Sequence, residues 1–101
     1  MKHCLTVLFP RPDDAERFKA YYASTHIPLA RQLPRLKSCT FAYPVPLGSA
    51  EDVPFCIFQA WFESEEMMGR ALQSEIGAKV AADVANYSPK GARLFYFATE
   101  H

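Results

Sequence analysis

The chain has 101 residues, too few to divide into two domains, because chains split only well above ~200 residues. Its eleven Lys and Arg balance eleven Asp and Glu, so the attraction that dominates binding to nucleic acid or to an anionic membrane surface is missing. Half the residues are hydrophobic and 14% are aromatic, which excludes disorder and leaves apolar surface to spare.

We therefore expect a single domain over residues 1–101, with neither nucleic acid nor membrane as partner. The opening MKHCLTVLFPRPDD carries only six apolar residues before Pro10, too few for a secretory core. No segment reaches the ~18 apolar residues of a membrane span. Cys4, Cys39 and Cys56 are odd in number, far apart and without CxxC spacing, so neither a disulfide framework nor a zinc site is expected. A reducing, cytoplasmic setting follows.

Residues 3 to 9, HCLTVLF, are rich in β-formers and stopped by Pro10 and Pro12, which predicts a first strand. Asp13 and Asp14 offer an N-cap for the helix that follows. In that helix Phe18, Tyr21, Tyr22, Thr25, His26 and Leu29 form one stripe of period 3.6 facing the core. Pro28 disfavours α geometry at Ile27, so the helix should end or kink near residues 25 to 27 and restart at Pro28, leaving His26 at the joint.

Residues 36 to 45, LKSCTFAYPV, predict a second strand, and PLGSAEDVP a loop. FCIFQAWF, residues 55 to 62, is the third strand. Ser64 before two glutamates caps a short helix through Leu72, and Ser74 before Glu75 restarts it. Ile76, Val80, Val84 and Tyr87 mark its buried face to about Asn86. RLFYFAT, residues 93 to 99, is the last strand.

The order β-α-β-β-α-β is the split arrangement of an α+β, ferredoxin-like fold, a four-stranded antiparallel sheet with both helices on one face. Strand 3 has a single polar residue, Gln59, and LFYFA in strand 4 has no charge, whereas a sheet with one wet face would alternate. The bare face therefore needs a cover, and a second copy of the chain supplies one.

Three segments then resemble a known family. Phe18-x-x-Tyr21-Tyr22-x-x-x-His26-x-Pro28-Leu29 is similar to the aromatic, histidine and Pro-Leu signature of the EthD-like members of the dimeric α+β barrel superfamily, and Leu5 to Pro10 resembles their first strand. Trp61-Phe62-Glu63-Ser64 followed by Ala82-Asp83-x-x-Asn86-Tyr87 resembles their third strand and second helix. The resemblance implies a homodimer whose two sheets enclose a barrel-like cavity. Some members of the family look like accessory proteins of oxidative catabolism. Relatives include lactone isomerases, polyketide cyclases or dehydratases and cofactor-free monooxygenases, and in some isomerase-like relatives a histidine at the matching position is catalytic or contacts substrate. Here no second internal histidine accompanies it, since His3 opens strand 1 and His101 is terminal.

His26 is thus the candidate catalytic residue, a general base whose cation a helix C-terminus would stabilise. The competing reading makes it a cap for carbonyls orphaned at Pro28. Tyr22 lies four residues away and could bond it or a ligand. Gln59 and Trp61 share a face of strand 3, Cys39, Phe41 and Tyr43 a face of strand 2, and both sets are assigned to the cavity. The opposite assignment puts Phe58 and Phe62 there. Asp83 and Asn86 are expected to be a solvated position and a helix terminus, and Met67, Met68 and Cys39 to be packing. No metal or cofactor is called for. Two functions stay open: a cofactor-free isomerase, dehydratase or oxygenase-type protein for a hydrophobic small molecule, with His26 moving the proton and Tyr22, Phe41, Tyr43, Gln59 and Trp61 holding the ligand, or a non-catalytic accessory dimer that only binds it.

Overall fold

A computed structural model describes residues 2–48 and 52–100. Strands β1 (His3–Phe9), β2 (Ser38–Ala42), β3 (Cys56–Phe62) and β4 (Arg93–Ala98) form one antiparallel sheet in the order β2-β3-β1-β4. Helices α1 (Ala15–Tyr21), α2 (Ile27–Ala30), α3 (Glu65–Gln73) and α4 (Glu75–Tyr87) complete the α+β fold. The second strand is shorter than expected because pairing stops at Ala42, ahead of Pro44. Part of the loop before β3, residues 49–51, lies outside the described residues, as do residues 1 and 101.

The helices start where the sequence places them. Asp14 caps α1, its Oδ1 accepting from the Arg17 N–H at 3.0 Å, and Ser64 caps α3 by accepting from the Met67 N–H at 3.2 Å. Ser74 separates α3 from α4: its Oγ donates to the Ala71 carbonyl at 2.6 Å and accepts from the Gly77 N–H at 3.0 Å. The turn is so tight that a Cβ on Gly77 would collide with the Ala71 and Leu72 carbonyls, so only glycine fits.

The expected break at Pro28 is instead a widened turn. Residues Tyr22–His26 run as a π-helix between α1 and α2, with the Ile27 N–H reaching back five residues to the Tyr22 carbonyl. One extra residue in the turn lets the helix pass a proline that has no N–H to give, and the chain continues to Ala30. The insertion also moves the buried stripe forward. Phe18, Tyr22 and His26 are buried as expected, but Thr25 faces solvent and Ile27, Ala30 and Leu33 carry the stripe onward.

Register decides which residues share a face. In β3 Cys56, Phe58, Ala60 and Phe62 are buried toward the helices, and opposite them on β1 stand Phe9, Val7, Leu5 and His3. The other face carries Cys4, Thr6 and Leu8 of β1, Ile57, Gln59 and Trp61 of β3, and Arg93, Phe95 and Phe97 of β4. Among the described residues no helix covers it, yet Cys4 is fully buried and Thr6 nearly so, beneath neighbours that include Trp61 and Phe97 in edge contact at 6.3 Å.

Candidate functional site

Between the helices and the sheet the core holds an aromatic cluster alongside aliphatic side chains such as Leu5, Val7 and Ile27. Tyr22 stacks on Phe18 and on His26, with ring centroids 5.3 Å apart in both pairs, and meets Phe9, Phe41 and Tyr87 edge-on. Tyr87, on the last turn of α4, comes within 4.6 Å of the His26 ring. His26 is only 4% exposed, so its polar atoms need partners inside the protein.

It finds one on the neighbouring helix. His26 Nδ1 lies 2.9 Å from Asp83 Oδ2, while Asp83 Oδ1 accepts from the Tyr21 hydroxyl at 2.6 Å and from Asn86 Nδ2 at 2.9 Å. The carboxylate is thus held by three donors from three elements, α1, the π-turn and α4 itself. Burial works to raise its pKa, but the bonds from Tyr21, Asn86 and His26 outweigh it and hold Asp83 below the ordinary carboxylate value. For His26 burial dominates and lowers the pKa, with Asp83 only partly offsetting it. The favoured arrangement is a neutral imidazole donating Nδ1–H to an ionised carboxylate, which leaves the Nε2 lone pair free to accept a proton.

This geometry corrects two expectations. His26 does not cap orphaned carbonyls at a helix end, since the helix continues past it and its bond goes to Asp83. No helix C-terminal dipole supports its cation there. Asp83 is not a solvated position either: its side chain is 11% exposed and anchors the network. The signal was present, because Ile76, Val80, Asp83 and Tyr87 lie at helical spacing and put a carboxylate in an apolar stripe. Tyr87, expected only as packing, touches both His26 and Tyr22.

The other candidates fall into two groups. Phe41 joins the cluster through Tyr22, and Tyr43 follows it in edge contact with Phe41 at 6.2 Å and with Phe55 at 5.4 Å. Gln59 and Trp61 lie on the opposite face of the sheet, where the Gln59 amide donates to Thr6 Oγ1 at 3.4 Å. Strands 2 and 3 therefore do not offer Phe41, Tyr43, Gln59 and Trp61 to one cavity, because Phe41 pairs with Phe58 and shares its helix-facing side. Of the residues in the alternative assignment, Phe58 and Phe62 are on the side of His26.

A groove of about 320 Å³ opens beside this cluster, between the start of α1 and the end of α4. Phe18, Tyr21 and Tyr87 form its apolar wall, and Arg17, Asn86 and Lys90 add polar atoms. Tyr87 and Phe18 separate it from the His26–Tyr22 stack. Among the described residues no three His, Cys, Asp or Glu side chains gather as metal ligands do, and no helix is long and apolar enough to cross a membrane. Cys4, Cys39 and Cys56 are free thiols, and burial pushes that of Cys56 up to about 12.

The model of the EthD domain matches residues 11–91, which include α1, the π-turn with His26, and Asp83 on α4. The chain belongs to the EthD family. An uncharacterized 11.0 kDa protein from the thcB-thcC intergenic region of Rhodococcus erythropolis is 30% identical over 92 residues, which span 91% of this chain and 89% of that one. An EthD family protein from Bacillus halodurans superposes with a TM-score of 0.91 at 22% identity, covering 99% of this chain and all of its own. A dimeric ferredoxin-like protein of unknown function from Thermobifida fusca gives 0.74 at 18% identity, with 98% and 92% of the two chains covered. The cofactor-independent oxygenase SnoaB from Streptomyces nogalater gives 0.67 at 15% identity, with 99% and 94% covered. These structural likenesses place this EthD domain in the ferredoxin-like fold, some of whose members are dimers.

Proposed function

We propose that this EthD protein binds a small hydrophobic, aromatic-sized molecule on the helix side of its sheet and moves a proton on it without a cofactor, with His26 as the base. The hydrogen bond between His26 Nδ1 and Asp83 Oδ2 carries this reading, because it fixes the tautomer whose Nε2 accepts protons. When Nε2 takes up a proton, the carboxylate beside Nδ1 stabilises the resulting imidazolium. Burial keeps the base neutral and ready at physiological pH. Tyr22, Phe41 and Tyr43 supply aromatic surface on the same side, and the 320 Å³ groove is at the small end of the range for ligand sites.

Gln59 and Trp61 belong instead to the uncovered face. There a second copy of the chain would pack, as the dimeric relatives of the fold support, and the cytoplasm would keep the three cysteines reduced. The same site also supports a non-catalytic reading, a dimer that only binds its ligand. Phe18 and Tyr87 stand between the groove and His26, so the base meets a ligand only if one of these rings turns aside.

Deuterium exchange separates the two. The C–H between the carbonyls of an aryl β-diketone is acidic enough to report a weak base, and exchange is followed by NMR in D2O. Catalysed exchange that falls by roughly 10²- to 10⁴-fold in His26→Gln, with the fold intact, supports the base. Exchange no faster than in buffer, with binding retained, supports the accessory reading.

A further inference from the structure

Two phenols whose rings touch His26 carry hydroxyls with little work in the fold. The hydroxyls of Tyr22 and Tyr87 are buried and, among the described residues, neither has an oxygen or nitrogen partner; the Tyr22 hydroxyl has only the Cys56 thiol beside it, whose burial-raised pKa it partly lowers. Such orphans are costly, since a buried phenol without a partner loses the hydrogen bonds it had with water. Tyr22 is fully buried and Tyr87 is 6% exposed, so bulk water does not serve either.

The two rings are also close together. They are in edge contact at 5.2 Å, each is in contact with His26, and the Tyr22 hydroxyl faces the Cys56 thiol on the sheet. A thiol is a poor acceptor and leaves both O–H groups available. Burial also raises both phenols well above their ordinary pKa, which keeps them protonated as donors.

We infer that the Tyr22 and Tyr87 hydroxyls form a two-donor site for a ligand oxygen beside His26, and that the ligand is an aromatic ketone or phenol able to place an enolate or phenolate oxygen there. The inference rests on the pocket reading above and specifies its substrate class. The proton transfer then balances without any other reactant. His26 Nε2 removes a proton from the carbon next to the carbonyl, that C–H bond becomes a C=C bond, and the carbonyl electron pair moves onto the oxygen held by the two phenols. Return of the proton to the same carbon, or to another carbon of the conjugated system, restores the carbonyl and gives exchange or isomerisation. Tyr87 also lines the groove, so it would meet the ligand on the way in.

The test uses the full chain and two probes of similar size, 4-nitrophenol, whose visible absorption distinguishes phenolate from phenol, and nitrobenzene, which has no hydroxyl. Wild type is expected to bind 4-nitrophenol in its phenolate form and more tightly than nitrobenzene. Tyr22→Phe and Tyr87→Phe should each weaken the phenolate by about tenfold or more, the usual effect of losing a hydrogen bond to a charged acceptor, while leaving nitrobenzene unchanged. Because the hydroxyls are orphans, both variants should melt at or above the wild-type temperature. His26→Gln should keep the preference for phenolate. Phenylalanine variants that bind both probes as wild type does, or that melt well below it, would overturn the two-donor site and leave the pocket reading standing. Loss of the preference in His26→Gln alone would assign recognition to the imidazole and overturn it too. Binding of neither probe by wild type would overturn the inference and the pocket reading together.

Discussion

Truncating Asp83 to alanine should destabilise the protein by about 2–3 kcal/mol, and the estimate can be built bond by bond. Asp83 accepts from Tyr21, Asn86 and His26 at 2.6, 2.9 and 2.9 Å. Asn86 is exposed and Tyr21 partly so, and both can turn to water for a small cost. His26 is 4% exposed and has nowhere to turn, so its Nδ1–H is stranded at a cost of about 1–3 kcal/mol. Loss of a charge-assisted bond that ties α4 to the π-turn brings the total to the stated range. At about 4–8 °C per kcal/mol for a domain of this size, the melting temperature should fall by roughly 10–20 °C at fixed protein concentration. Adding His26→Phe removes the stranded donor, and the double variant should recover about 1 kcal/mol or more relative to additivity. A single variant costing less than about 0.5 kcal/mol, or strictly additive losses, would refute the view that Asp83 serves His26.

Acid should weaken the fold in two stages. His26 and Asp83 both have lowered pKa values in the folded chain, so each binds fewer protons folded than unfolded, and stability rises with pH. The His26 contribution is complete above about 6.5 and is lost as pH falls through its folded value; that of Asp83 is complete above about 4 and lost below. Urea unfolding at stepped pH should show the first stage in wild type and not in His26→Gln, and stability that is flat or rising from pH 7.5 to 5 would contradict the His26 shift. On the uncovered face, Phe97 is 38% exposed beside Trp61, and sedimentation equilibrium at micromolar concentration should show a dimer that Phe97→Asp converts toward monomer. A wild type that stays monomeric would remove the barrel.

Much of this architecture can be read from local pattern. HCLTVLF between its termini and the Pro10/Pro12 stop is β1, and the serines at 64 and 74 mark where α3 and α4 begin, because capping and proline geometry act over three or four residues. The family signature singled out His26, which the structure buries beside Asp83. What local pattern hides is anything set by register or by a one-residue change of helical pitch. Gln59 and Phe41 look equivalent as strand residues, and only the pairing of Phe41 with Phe58 shows that they face opposite ways. The π-turn at Tyr22–His26 adds one residue and so exposes Thr25 while burying Ile27, which a fixed period of 3.6 does not anticipate. The place of Asp83 in the apolar stripe of α4 was legible, but its partner was not. A carboxylate on a helix is usually solvated, and its partner lies 57 residues away on another element.

The protonation state of His26 decides whether it can serve as a base. A long-range ¹⁵N–¹H correlation spectrum recorded from pH 4 to 8 reports both the tautomer and the pKa of each histidine ring, and His26→Gln assigns the signal. We expect a neutral ring at pH 7 with the proton on Nδ1, a pKa below the ordinary 6.5, and an Nε2 resonance that shifts when 4-nitrophenol binds. A ring that is charged at pH 7, or that carries its proton on Nε2, would have no lone pair to offer a ligand and would contradict His26 as the base.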